Sequence, residues 1–172
     1  MSNMHNLVLA EKQLDCRRLI YHFDIERAAH QCSIELYARV VFILVDNLAE
    51  GMDETEPTDY YQQQMIEYYH ESSLLYGENP DYLFLMGFII SKGEWCFRVS
   101  LSDAILMRKQ PYQMQPGNRL YEWLSLNHGD PNLREVAKQL VEKRPECFVW
   151  LESLGVLGQY IIDIIEANAE GR

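Results

Sequence analysis

Between Arg39 and Lys92 the chain has no lysine and no arginine. Nucleic-acid phosphates and anionic membrane surfaces are bound through clustered cations that release counterions. So long a cation-free stretch, with no basic patch elsewhere, argues against both partners. Long apolar runs are missing as well: the longest, Tyr82 to Ile90, has nine residues, against about 20 needed to cross a bilayer. The opening Met1-Ser2-Asn3-Met4-His5-Asn6 lacks the basic-then-apolar pattern of a secretory signal. Cys16, Cys32, Cys96 and Cys147 are scattered and never form a C-x-x-C pair. A chain of 172 residues can build a core without stapling, so free thiols in a reducing cytoplasm are expected. There is no G-x-G-x-x-G or G-x-x-x-x-G-K-[ST] phosphate loop, no G-x-S-x-G elbow and no H-E-x-x-H helix. The expectation is a protein without cofactor or catalytic apparatus.

What the cation-free stretch does contain is ten of the 26 acids: Asp46, Glu50, Asp53, Glu54, Glu56, Asp59, Glu67, Glu71, Glu78 and Asp81. The remaining 16 acids and the 15 bases nearly cancel, so almost all of the net charge of −11 belongs to this third of the chain. Six of the eleven tyrosines share it: Tyr60, Tyr61, Tyr68, Tyr69, Tyr76 and Tyr82. Acidic residues often do no more than solubilise a face. Tyrosine adds rigid contact area with a polar tip, the composition of an interface hot spot. The predicted partner-binding residues are therefore Asp53, Glu54, Glu56, Asp59, Tyr60, Gln64, Glu67, Glu71 and Glu78, and the expected partner is a basic protein.

Apolar spacing by threes and fours predicts an all-α domain spanning residues 1–172, with seven or eight helices packed as irregular hairpins. A short helix is expected over about 7–21. A longer one runs from Asp24 to Glu50, capped by Asp24 and carrying a stripe of Ile25, Ala29, Cys32, Leu36, Val40, Ile43 and Leu44. Residues 51–58 read as a charged loop. The next helix starts at Pro57 and ends before Gly77, burying Tyr61, Met65, Tyr68, Ser72 and Leu75 and exposing Tyr60, Gln64, Glu67 and Glu71. Asn79-Pro80 caps a helix to about Ser91. Residues 95–102 alternate like a strand, but with no second strand to pair they are read as the start of a helix to about Lys109. Residues 111–117 read as a loop. Further helices are expected over 118–126, 131–144, from Pro145 to near Gly155, and 157–169.

Residues 65–95 resemble one tetratricopeptide repeat: a helix ends before Asn79-Pro80, Met86-Gly87 stands where that family has Leu-Gly, and Gly93 with Trp95 matches its turn and following aromatic. The resemblance implies a helical groove that holds a peptide, as in an adaptor or chaperone. Arg17-Arg18-Leu19-Ile20-Tyr21-His22 resembles the R-x4-H signature of the HEPN ribonucleases, which implies that Arg17 and His22 act on RNA phosphate. His22, Glu26 and His30 recur every four residues, a spacing that can hold a metal ion, although the acidic and polar residues there also fit a solvated face and no metal is expected. Glu67-x-x-His70 has the spacing of a di-iron bundle but no second copy. In overall character, a small acidic helical protein without a catalytic motif resembles the immunity proteins of bacterial toxin systems, including contact-dependent growth inhibition. That resemblance implies binding and neutralisation of a cognate toxin domain, often a basic nuclease.

Overall fold

The computed structural model describes residues 2–29, 32–50, 57–144 and 146–171. Among them are eleven helices and no strand. They are α1 (Asn3–Lys12), α2 (Cys16–Ala29), α3 (Ile34–Glu50), α4 (Thr58–Tyr76), α5 (Pro80–Lys92), α6 (Glu94–Phe97), α7 (Leu101–Met114), α8 (Arg119–Ser125), α9 (Leu133–Lys143), α10 (Glu146–Ser153) and α11 (Val156–Glu170). The all-helical reading holds. The count exceeds seven or eight because helices expected to be continuous are broken.

Each break has a local cause. The helix expected over 7–21 divides where Leu14 takes a left-handed conformation (φ 54°) and Asp15 starts α2 by accepting a hydrogen bond from the Arg18 N–H at 3.0 Å. The helix expected over 24–50 is two: α2 ends at Ala29, and Ser33 opens α3 by accepting from the Leu36 N–H at 3.2 Å. Asp24 lies inside α2 and caps nothing. The alternating stretch after Trp95 is neither strand nor one helix. Arg98 is left-handed (φ 57°), and Ser100 caps α7 through the Asp103 N–H at 3.1 Å. Conversely, Pro111 does not start a loop, because α7 continues through it to Met114. The caps at Asn79 and Asn118 form as expected, each side chain accepting from two N–H groups of the following turn.

Two helices form the centre. Residues Tyr82 to Ile90, the longest apolar run, are all buried in α5, as are nine residues of α3. Apolar side chains on every side of a helix suit one surrounded by protein. Around this pair, α4 packs on α3, α7 on α5, and α11 joins α3 to α9 and α10. Although α4 and α5 are consecutive, each packs chiefly elsewhere. Gly87 serves the α5–α7 contact: a Cβ there would lie 3.1 Å from the Met107 carbonyl oxygen, so any larger residue would have to push the α7 backbone away by a few tenths of an ångström.

Polar links tie the outer helices to this centre. The Glu11 carboxylate on α1 is 2% exposed. It pairs with the Arg39 guanidinium on α3 and accepts from the Val156 N–H that opens α11, at 3.2 Å. A carboxylate at a helix N-terminus is favoured by the helix dipole. Lys92 on α5 pairs with Asp46 on α3 at 2.8 Å, donates to the Tyr160 hydroxyl on α11 at 3.0 Å and lies 4.4 Å from the Tyr160 ring centre.

Candidate interaction surface

The predicted face lies on α4. Its inner side buries Tyr61, Met65, Tyr68 and Ser72 as the spacing requires. Leu75 is an exception: it is exposed, as is Leu74 at 88%, while Tyr76 in the same turn packs against Tyr37 of α3. On the outer side Tyr60 and Glu67 are exposed, while Gln64 and Glu71 are half-buried.

Tyrosine is less available than the composition implies. Of the six in the acidic stretch, Tyr61, Tyr68 and Tyr82 are buried, Tyr69 and Tyr76 are half-buried, and Tyr60 alone is exposed, at 44%. The others pack into or against the core, and three have their hydroxyls bonded. Tyr68 donates to Asp24 at 2.9 Å, Tyr76 to the Cys32 carbonyl at 2.6 Å, and Tyr82 bonds Ser72 at 3.0 Å. A buried tyrosine needs such a partner for its polar end, so the enrichment serves packing between α2, α3, α4 and α5.

Two of the predicted acids are engaged internally. Arg27, from α2, reaches Glu67 at 2.8 Å, Glu71 at 2.7 Å and Asp24 at 3.2 Å, and its guanidinium lies 5.0 Å from the Tyr68 ring centre. Burial alone would lower the Arg27 pKa. The bonds to Glu67 and Glu71 outweigh it and hold the group above its ordinary range. Tyr37 donates to Glu71 at 2.7 Å. Burial first, then this carboxylate, pushes its pKa up, and burial with Asp24 does the same to Tyr68. The sequence reasoning missed Arg27 because it lies outside the cation-free stretch. Its signal was its place on the helix before that stretch.

Asp59 and Glu78 have no ion pair among the described residues, but they stand at opposite ends of a 19-residue helix, about 28 Å apart along its axis. Asp53, Glu54 and Glu56 lie outside the described residues. The nine candidates thus do not form one patch. The end that holds Asp59 and Tyr60 has more shape. A groove of about 460 Å³ runs between α2 and α4, lined by Arg17, Ile20, Tyr21, Asp24, Ile25, Ala28 and Tyr60. Tyr21 is 63% and Ile25 40% exposed. Ile25 was expected in the buried stripe; the break after Ala29 rotates α2 out of phase with α3 and turns it outward. Beside the groove, Asp59, Gln62, Gln63, Ile66 and Arg98 line a recess of about 500 Å³.

The chemical motifs disperse. Arg17 lines the groove. His22 turns the other way, its Nδ1 2.7 Å from the Asn3 Oδ1 on α1, as five residues of helix (about 140°) dictate. Asn3 also donates to Glu26 at 2.7 Å, so one α1 amide occupies both described members of the His22–Glu26–His30 set. His30 lies outside the described residues. Glu67 is held by Arg27 while His70 is exposed. Among the described residues no group of three His, Cys, Asp or Glu is placed to hold a metal ion, and no helix is long and apolar enough to cross a membrane. No family model matches the chain, and neither does any curated protein or solved structure.

Proposed function

We propose that the protein is a cytoplasmic, non-enzymatic binding module for a basic protein, in the manner of an immunity protein that neutralises a toxin domain. The observation that carries this reading is the α2–α4 groove. Three exposed large side chains, Tyr21, Ile25 and Tyr60, surround it, and the acids Asp53, Glu54, Glu56 and Asp59 immediately precede or adjoin Tyr60 in the chain. An apolar anchor site reached by an acidic segment of the chain suits a partner with an apolar or aromatic anchor inside a basic rim. The charges steer association and the anchor sets its lifetime. Glu67 and Glu71 serve as scaffold, holding α2 against α4 through Arg27.

The test uses paired baits. Wild-type protein should retain a basic partner from the native host, and a Tyr60→Ala/Asp59→Lys bait should lose it. Co-expression with the partner's isolated domain should then restore host growth only with the wild-type protein. A partner retained equally by both baits, or one whose domain is harmless, overturns the reading. A second reading, an adaptor holding a peptide, draws on the groove's position between helices. There a Tyr21→Ala change would abolish binding while charge reversal at Asp59 would leave it intact.

A further inference from the structure

Apart from α2 and α4, five helices and one turn line an open cavity of about 210 Å³. Its wall is apolar over most of its extent: Phe88 from α5, Trp123 and Leu124 from α8, Leu133 from α9 and Ile164 from α11. Its polar members include no acid. Arg108, half-buried on α7, lines it with Asn168, Ser91 and the exposed His128. No carboxylate lines it, in a chain with 26 of them.

Arg108 has no acidic partner among the described residues. Its Nε donates to the Leu124 carbonyl at 3.1 Å, and its Nη2 donates to the Leu124 and Leu126 carbonyls at 2.9 and 2.8 Å. These bonds fix the plane of the guanidinium and leave Nη1 with two N–H donors uncommitted. Asn168 is oriented too: its Oδ1 accepts from the Trp123 indole N–H at 3.0 Å, which leaves the amide nitrogen as the free end. Ser91 donates to the Phe88 carbonyl at 2.7 Å. The cavity therefore presents an arginine held by backbone carbonyls, a directed amide donor and aromatic walls, with the Asn168 oxygen already engaged by the Trp123 indole. A partly desolvated guanidinium with two donors free and no carboxylate nearby favours an anion.

We propose that this cavity is a binding site for a small organic monocarboxylate with an apolar or aromatic body, its carboxylate on Arg108 Nη1 and Asn168 and its body between Phe88 and Trp123. Size restricts the class. A dry cavity of about 150 Å³ holds benzene, so the site takes a ring or short chain plus one carboxylate and not a nucleotide. This site is independent of the α2–α4 groove and would stand if the toxin-binding reading fell.

The test is a titration of the full-length protein with benzoate, followed by the Trp123 indole N–H resonance, which is assigned from its loss in Trp123→Phe. Benzoate should shift that resonance saturably, and benzamide, which has the same shape without the charge, should bind at least tenfold more weakly. Arg108→Gln should weaken benzoate at least tenfold. Because Arg108 also holds two carbonyls, Ser91→Leu provides a second arm: it fills the cavity, leaves Arg108 in place, and should abolish the shift with the helical circular-dichroism spectrum unchanged. The proposal is overturned if benzoate gives no saturable shift, if benzamide binds as tightly, if inorganic phosphate binds as tightly as benzoate, or if folded Ser91→Leu binds normally.

Discussion

Arg27 and Arg108 are both half-buried in helical surroundings, yet they meet opposite environments. Around Arg27 three carboxylates converge from two helices, and two tyrosine hydroxyls donate to them. Around Arg108 there are only backbone carbonyls and a cavity. In a chain with 26 acids and 15 bases, the negative charge is thus distributed unevenly, and the scarce cations have different duties. The first arginine binds α2 to α4 by absorbing charge. The second positions a loop and keeps its own charge unanswered, and burial lowers its pKa with no carboxylate to restore it. Total charge says little about a protein's surface until the internal pairs are removed from the count.

The sharpest way to break this contrast is to remove each arginine. Arg108→Ala strips the donors from two partly buried carbonyls, at about 1–3 kcal/mol for each unsatisfied group, so the urea midpoint should fall by the equivalent of about 2–6 kcal/mol and do so equally at low and high salt. Arg27→Ala should cost less, about 1–2 kcal/mol, because its carboxylate partners remain within reach of water. Its cost should change with salt, since added ions screen the three acids left facing one another. If the two variants show the same salt response, the division between a charge-absorbing and a carbonyl-bound arginine is wrong.

Alkaline titration sharpens the same comparison. Burial raises Tyr37 and Tyr68 above 10 and pushes Cys32 up to about 11, whereas in the unfolded chain these groups ionise near their ordinary values of about 10 and 8.5. The folded state therefore keeps protons that the unfolded state releases. Its stability is full below those ordinary values and declines as pH rises through them towards the folded ones. The urea midpoint should drop steadily between pH 9 and 11, approximately, and Tyr37→Phe should flatten the slope. An unchanged slope would show that Tyr37 is not the buried proton donor to Glu71. The smallest effect belongs to the exposed end of α4: Tyr60→Ala should stay within about 0.5 kcal/mol of wild type in stability, so that any loss of partner binding reads as contact and not as unfolding.

The helical class was legible because apolar residues recur by threes and fours in nearly every segment, and Asn79-Pro80 and Asn118 announce their helices by chemistry that acts within one turn. The breaks at Leu14 and Arg98 were not legible. Each places a residue other than glycine in a left-handed conformation, a cost of roughly 1 kcal/mol that tertiary packing must offset and that no local signal records. Pro111 misled in the other direction, since its ring is tolerated inside α7. The surface was harder still. Charge runs locate acids in sequence, but the partner of Glu67 and Glu71 is 40 or more residues away, and whether a tyrosine packs or projects is decided by the helix phase. Arg108 carried no sequence signal, because what distinguishes it is a missing neighbour.

The Glu11 carboxylate has a consequence for how the chain is made. Its backbone donor, the Val156 N–H, lies 145 residues further on. A ribosome extending the chain from its N-terminus therefore releases α1 long before the group that completes its burial has been synthesised. Until α11 emerges, α1 can pack on α2 but Glu11 has Arg39 as its partner and lacks the Val156 N–H. The burial of Glu11 is in this sense completed only when α11 docks against α1 and α3.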